Sequence, residues 1–196
     1  MNIACENGYE HITKLLLTTK QYDVNRIHIG NQGWTNLMFA CKNGHFEIVA
    51  ILMNNGADSS VLNDESETAF NIAYRYDNTK IVEYFLENGS NINGIDKHGL
   101  TSLISACKMN HFMLAKLFIS RNAKCDKEPE SGMTPIGAAW SSKSYGIVDF
   151  LLQNRAIISE KDLKIFARDT ENGSSNFFQM ASKEGYKSVP EMLSDY

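Results

Sequence analysis

Between residues 36 and 54 the apolar positions follow a helical period. Leu37, Ala40 and Cys41 fall three and four apart, and Ile48, Val49, Ile51 and Leu52 repeat the spacing, so each run gathers its apolar side chains on one face of a helix. Asn43-Gly44 closes the first run and Asn55-Gly56 the second, as helix C-terminal stops do. The pattern predicts a short helix over 36–43, a turn, and a longer amphipathic helix over 46–54. Polar, turn-forming stretches punctuate the chain: ADSSVLNDES, SNINGIDKHG and AKCDKEPESG.

This unit recurs. Threonines stand at 35, 68, 101 and 134, each 33 residues after the last, and alanines at 40, 73, 106 and 139 keep step with them. So do Leu37, Phe70, Leu103 and Ile136, and the segments FEIVAILM, KIVEYFLE, FMLAKLFI and GIVDFLLQ. One helix pair cannot bury its apolar face alone, so neighbouring copies must stack around a shared core. Weaker copies flank these four: ACENGYEHITKLLL at 4–17 and ASKEGYKSVPEML at 181–193. The last alanine follows Ala139 by 42 residues, nine more than the period, which places an insertion within 159–175, carrying a helix around EKDLKIFARD.

Composition narrows the class. At 43% hydrophobic and 21% charged the chain is an ordinary folded one, and a net charge of -4 argues against a partner made of nucleic-acid phosphate. No apolar run reaches the roughly 20 residues of a membrane span, and the start, MNIACENGYEH, lacks the basic and apolar regions of a secretion signal. With four cysteines in no small-scaffold disulfide pattern, the expected compartment is intracellular, cytoplasmic or nuclear.

The repeat resembles the ankyrin repeat. The family pattern, G-x-T-P-L-H-x-A-x-x-x-G-H followed by an apolar helix and G-A-D, is matched by GWTNLMFACKNGH with NNGAD, by GLTSLISACKMNH and by GMTPIGAAW. Of the Thr-Pro pair only Thr134-Pro135 is complete. The resemblance implies an all-α ankyrin-repeat solenoid of about six stacked helix-turn-helix units with hairpin loops. The expected units are 1–30, 31–63, 64–96, 97–129, 130–160 and 172–196, in a single domain without a true sheet. Met1 stands where the family has the leucine of Thr-Pro-Leu, so the first copy lacks its leading turn. That suggests a segment of a longer array or a trimmed N-terminal cap, and the helix YKSVPEMLSDY reads as a C-terminal cap.

Two copies of Cys-x-x-x-His, Cys41/His45 and Cys107/His111, raise the question of zinc. Both occupy repeat positions, and at about 8 to 10 Å between packed helices the two cysteines lie on the order of 20 Å apart, too far for a shared metal or a disulfide. They are expected to be buried core thiols. Cys125, in a loop, is the more exposed one. No nucleophile elbow, phosphate-cradling loop or zinc-protease motif is present, and no enzyme activity, cofactor or metal is expected.

Surface is what remains. The resemblance implies a non-catalytic protein-protein interaction module whose partner docks on the concave face, formed by hairpin tips and the first helices. By register, the partner-binding candidates are Trp34, Leu100 and Met133 near the tips, and Lys42, Asn43, Arg75, Tyr76, Lys108 and Met109 on the helices. The aromatic and flexible-apolar members among them are read as exposed anchors, unless they fold back over neighbouring hairpins. Trp140 and Tyr74 occupy the position that Cys41 and Cys107 fill, and either bulge the groove or fill it. Lys42, Arg75 and Lys108 form a basic ladder suited to an acidic, extended or helical segment of another protein. Exchanging all three for glutamate is expected to leave the melting temperature nearly unchanged. Two further readings are a structural segment of a longer array, and a substrate for asparagine hydroxylation at Asn25 and Asn93, by resemblance to hydroxylated family hairpins. A monomer is favoured.

Overall fold

The computed structural model describes residues 1–19, 22–28, 30, 32–96, 98–124, 132–171 and 177–185, in two compact units, Met1–His98 and Gly99–Tyr196. The first unit holds α1 (Asn2–Glu6), α2 (Glu10–Thr18), β1 (Ile27–His28), β2 (Trp34–Thr35), α3 (Asn36–Lys42), α4 (Phe46–Asn54), α5 (Ala69–Arg75) and α6 (Thr79–Glu87). The second holds α7 (Ser102–Lys108), α8 (Phe112–Ser120), α9 (Pro135–Ser141), α10 (Tyr145–Gln153), α11 (Glu160–Glu171) and α12 (Phe177–Lys183). The fold is the expected all-α stack of helix pairs. The C-terminal cap helix, Cys125 and the hairpin positions Asn31, Lys97, Glu130 and Ser131 lie outside the described residues.

The 33-residue threonine period has a mechanical cause. Thr35, Thr68, Thr101 and Thr134 each sit in extended backbone as the N-cap of a first helix, and each hydroxyl oxygen accepts the N–H three residues on, from Met38, Asn71, Ile104 and Gly137. Each cap satisfies a helix-end donor that would otherwise lack a partner and contributes about 1 kcal/mol. The alanine period is set by packing. Ala40, Ala73, Ala106 and Ala139 have no exposed surface, and α3 packs between α1 and α5 while α7 packs against α9. A larger side chain there would force helices apart.

In the first unit, polar side chains tie the second and third repeats each to the one before it. The ring Nε2 of His45 lies 3.0 Å from the carbonyl oxygen of Glu6, and Asn78, at the same repeat position, donates to the carbonyls of Cys41 (2.7 Å) and Lys42 (3.2 Å). The hairpin arms pair as well: Ile27 faces Thr35 and His28 faces Trp34 in a two-residue antiparallel ladder. The sequence reading had no sheet there. The ladder forms because extended arms meet across a tip whose Gln32 and Gly33 adopt the left-handed region.

In the second unit the insertion forms α11, opened by a capping box that the sequence reading missed. Ser159 Oγ accepts from Asp162 N (3.2 Å), and the Asp162 carboxylate accepts from Ser159 N (2.8 Å). That buried carboxylate also accepts from Thr134 Oγ1 (2.8 Å), so the cap of α11 is joined to the cap of α9. Gly137 makes the approach possible, since a Cβ there would stand 2.1 Å from Asp162 Oδ1. Trp140 does not bulge into a groove. It is buried against Tyr145, Phe166 and Phe177 at ring separations of 5.4, 5.3 and 5.1 Å, filling the space between the regular repeats and α11 and α12. Tyr74 is likewise core, its hydroxyl accepting from Asn71 Nδ2 (2.9 Å).

Candidate functional site

The first unit brings four of the candidate residues together at the C-terminal ends of α3 and α5. Helix α3 ends at Lys42 and α5 at Arg75, one repeat period apart, so both side chains emerge from the same rim of the stack. The Lys42 ammonium lies 5.5 Å from the centroid of the Trp34 ring and 5.8 Å from that of Tyr76. Two aromatic faces thus hold it by cation–π attraction. Trp34 is set in place by Phe39 (5.3 Å between rings), which in turn meets His28 (5.9 Å). Gly30, Gln32, Trp34, Phe39 and Lys42 line a cavity of about 260 Å³ that opens beside the amine.

Arg75 has a different environment. Its guanidinium lies 5.5 Å from the Tyr76 ring and pairs with Glu67 (2.8 Å) and with Glu65 (3.7 Å). Glu67 is buried, and the loop that delivers it is fixed by Asn63, whose side-chain oxygen accepts from the N–H groups of Glu65 (3.0 Å) and Glu67 (2.8 Å). The neighbouring tips are joined too, Asp64 N donating to Gln32 O (2.9 Å). The site is therefore a preorganised rim, with one cation presented between rings and the next neutralised in place.

Several expectations need correction. Trp34 and Leu100 are not exposed anchors, because both are buried. They precede the cap threonines, at a position that also buries Glu67 and half-buries Met133, since the extended arm turns this side chain in toward the repeat. The basic ladder does not have equal rungs. Arg75 is consumed by the Glu67 and Glu65 pairs, Lys42 is half-buried, and Lys108 is exposed in the second unit. Tyr76 and Met109 are exposed as expected. Asn43 is exposed, but its amide donates to Phe39 O (3.0 Å) and so finishes α3.

Asn25 is held by the repeat that follows it: its amide nitrogen donates to Gly56 O (3.1 Å) and its oxygen accepts from Asp58 N (2.7 Å). A hydroxylase would have to release both bonds. Asn93 is half-buried, its N–H bound to Asn91 Oδ1 (3.0 Å). The Cys41/His45 pair serves the scaffold, and Cys107 is buried as Cys41 is. Cys41 is buried, its thiol pushed well above the usual range by desolvation, and His45 holds Glu6 across the repeat boundary. Among the described residues no group of His, Cys, Asp and Glu is arranged to hold a metal ion, and no helix is long and apolar enough to cross a membrane.

Comparison with known proteins places the repeat. A family model described as ankyrin repeats (3 copies) matches residues 1–96, 55–129 and 73–162. An ankyrin repeat and KH domain-containing protein of Caenorhabditis briggsae is 29% identical over 78% of this chain and 6% of its own length. An ankyrin repeat protein of fowlpox virus is 27% identical over 78% of this chain and 46% of its own. A tyrosine-protein kinase of Hydra vulgaris is 26% identical over 76% of this chain and 20% of its own. The chain thus spans less than half the length of each of these relatives.

Proposed function

Because the chain belongs to the ankyrin-repeat family, whose repeats generally serve as protein-protein interaction modules, we propose that it is a non-catalytic binding module that takes an acidic segment of another protein at the Lys42 rim. The observation that carries this reading is the seat of Lys42. Its amine is flanked by the rings of Trp34 and Tyr76, and a cavity of about 260 Å³ adjoins it. An ammonium held between rings loses little further freedom on binding, and its N–H donors suit a carboxylate. The exposed Tyr76 supplies an aromatic contact beside the charge, the residue type most enriched where interfaces carry their energy. An extended acidic peptide fits this arrangement, one carboxylate on Lys42 and its backbone along the tips.

Selection of a random peptide library on the immobilised chain tests the reading. Enriched sequences should be acidic, their capture should weaken as salt rises, and Lys42→Met together with Tyr76→Ala should abolish it. Enrichment of neutral or basic peptides, or acidic peptides held equally by the double variant, would move the interface elsewhere.

A further inference from the structure

The seat of Lys42 presents a charge and a cavity together. Among the described residues no carboxylate pairs with its ammonium, whereas Arg75, at the same repeat position, is neutralised by Glu67 and Glu65. The Lys42 side chain also walls a cavity, together with Gly30, Gln32 and the rings of Trp34 and Phe39, each ring residue only 8% exposed. At about 260 Å³ this cavity falls below the roughly 300 to 1,000 Å³ of sites that bury a small-molecule ligand, and it is of the size of a single residue. Gly30 and Gln32 stand exposed at its edge, and a Cβ on Gly30 would meet nothing within 4 Å, so that edge leaves room for a passing backbone. The amine lies 5.5 Å from the centre of the Trp34 ring, so one charge and one residue-sized space adjoin.

That spacing discriminates between ligands. Along an extended chain adjacent side chains point to opposite faces, and the next one on the same face lies roughly 6.6 Å further on. An internal Asp or Glu whose carboxylate meets Lys42 therefore turns its neighbouring side chains away from the cavity. A residue that ends a chain carries a carboxylate and a side chain on one Cα, and it delivers both over the shorter span on offer. Ring walls favour an aromatic or large aliphatic side chain there.

We propose that Lys42 and the cavity beside it bind the C-terminal residue of a partner protein, with the terminal carboxylate on the amine and a large apolar last side chain in the cavity. The assignment rests on the reading of the Lys42 rim as the binding face. It narrows the partner to a protein whose acidic segment is its C-terminal tail and closes on an apolar residue. The terminal carboxylate accepts from the Lys42 N–H donors, and the segment leading up to it leaves past Gly30 along the tips.

The test uses the full chain and a random peptide library displayed with free C-termini. Under selection the last position should converge on Phe, Leu, Ile or Met. The best binder is then synthesised as the free acid, as the C-terminal amide, and as an amide carrying one added internal Asp, which restores the net charge. Calorimetric titration should show both amides at least about tenfold weaker than the acid, the loss of a charge-assisted hydrogen bond, whereas on Lys42→Met acid and amides should bind alike. That variant should melt near the parent and serves as the folding control. In a heteronuclear spectrum the indole N–H of Trp34 should shift on adding the free acid, and that of Trp140, buried in the second unit, should stay in place. A last position without preference, or a charge-matched amide bound as tightly as the acid, overturns the proposal and leaves the rim as a site for an internal carboxylate. Capture indifferent to Lys42→Met, or no enrichment at all, removes the rim reading and the proposal with it.

Discussion

Replacing Arg75 by alanine should cost far more stability than replacing Lys42, although the two residues hold the same repeat position. The Glu67 side chain is only 5% exposed and that of Arg75 27%, with 2.8 Å between Nη2 and Oε2. Without Arg75 the carboxylate keeps a hydrogen bond from Asn63 Nδ2 at 3.4 Å but loses its close counter-charge. Removing one partner of a fully buried pair costs about 3 to 5 kcal/mol, and the partial solvation of Arg75 brings the expectation to about 2 kcal/mol. For a chain of this size that corresponds to a fall in melting temperature of roughly 4 to 8 °C. Lys42→Ala forfeits cation–π contacts at a half-open site, about 1 kcal/mol or less. Urea denaturation followed by circular dichroism, with the double-mutant cycle Arg75→Ala and Glu67→Gln, separates the pair from side effects on packing. If Arg75→Ala is no more destabilising than Lys42→Ala, or the cycle shows no coupling, the neutralised-rung account is wrong. The same reasoning revises the expectation for the triple glutamate exchange at Lys42, Arg75 and Lys108, which should now melt lower, because Arg75→Glu sets a second carboxylate against Glu67.

Three further outcomes follow from backbone and packing. Arg155 holds a φ of +57° at the helix end where Gly56 and Gly89 stand in two other repeats and Asn122 in a third, so Arg155→Gly should stabilise by about 0.5 to 1 kcal/mol in the same denaturation assay. Asp162→Ala removes both the capping box of α11 and its bond to Thr134, and should cost about 2 kcal/mol and speed amide exchange in α11 selectively; Gly137→Ala should reproduce that pattern by blocking the same approach. Ala73→Leu, at a fully buried site between packed helices, should cost about 1 to 3 kcal/mol, and a neutral result there would contradict the packing described for α5.

The fold was legible because a stack repeats its constraints. The threonine that caps, the alanine that lets helices approach and the paired stops are all local, so they appear in the sequence at one period and find their structural cause in Thr35, Ala40 and Gly44. The insertion was legible as an excess of nine residues, and its helix as a periodic segment. Its docking was not, although Ser159-x-x-Asp162 is a visible capping signal, because nothing local says that Thr134 will share the carboxylate or that Gly137 leaves room for it. The two-residue ladder escaped for a related reason: pairing between arms depends on the tip geometry, not on their composition.

The candidate site was half legible, and the misreading has one source. Register tells which rim a side chain leaves from, whereas its availability depends on what the neighbouring hairpin arm places beside it. At the residue before the cap threonine the second repeat has Trp34 and the third has Glu67; hence Lys42 meets an aromatic face and Arg75 a buried carboxylate. Position-by-position inheritance from the family carries the rim across but not this pairing. The distinction can be tested by loosening the neutralised cation. Glu67→Gln removes the charge that holds Arg75 and leaves the longer contact to Glu65 at 3.7 Å, while Lys42 and Arg75 remain beside Tyr76, 5.8 and 5.5 Å from the centre of its ring. Acidic peptides selected on the parent should then bind about two- to fivefold tighter, the contribution of one more partly exposed charge, with a steeper dependence on salt. Calorimetric titration well below the melting transition reads this apart from the variant's loss of stability. An unchanged affinity and salt slope would mean that the peptide does not approach the Tyr76 side of the rim, and that Lys42 acts from the cavity beside Trp34 alone.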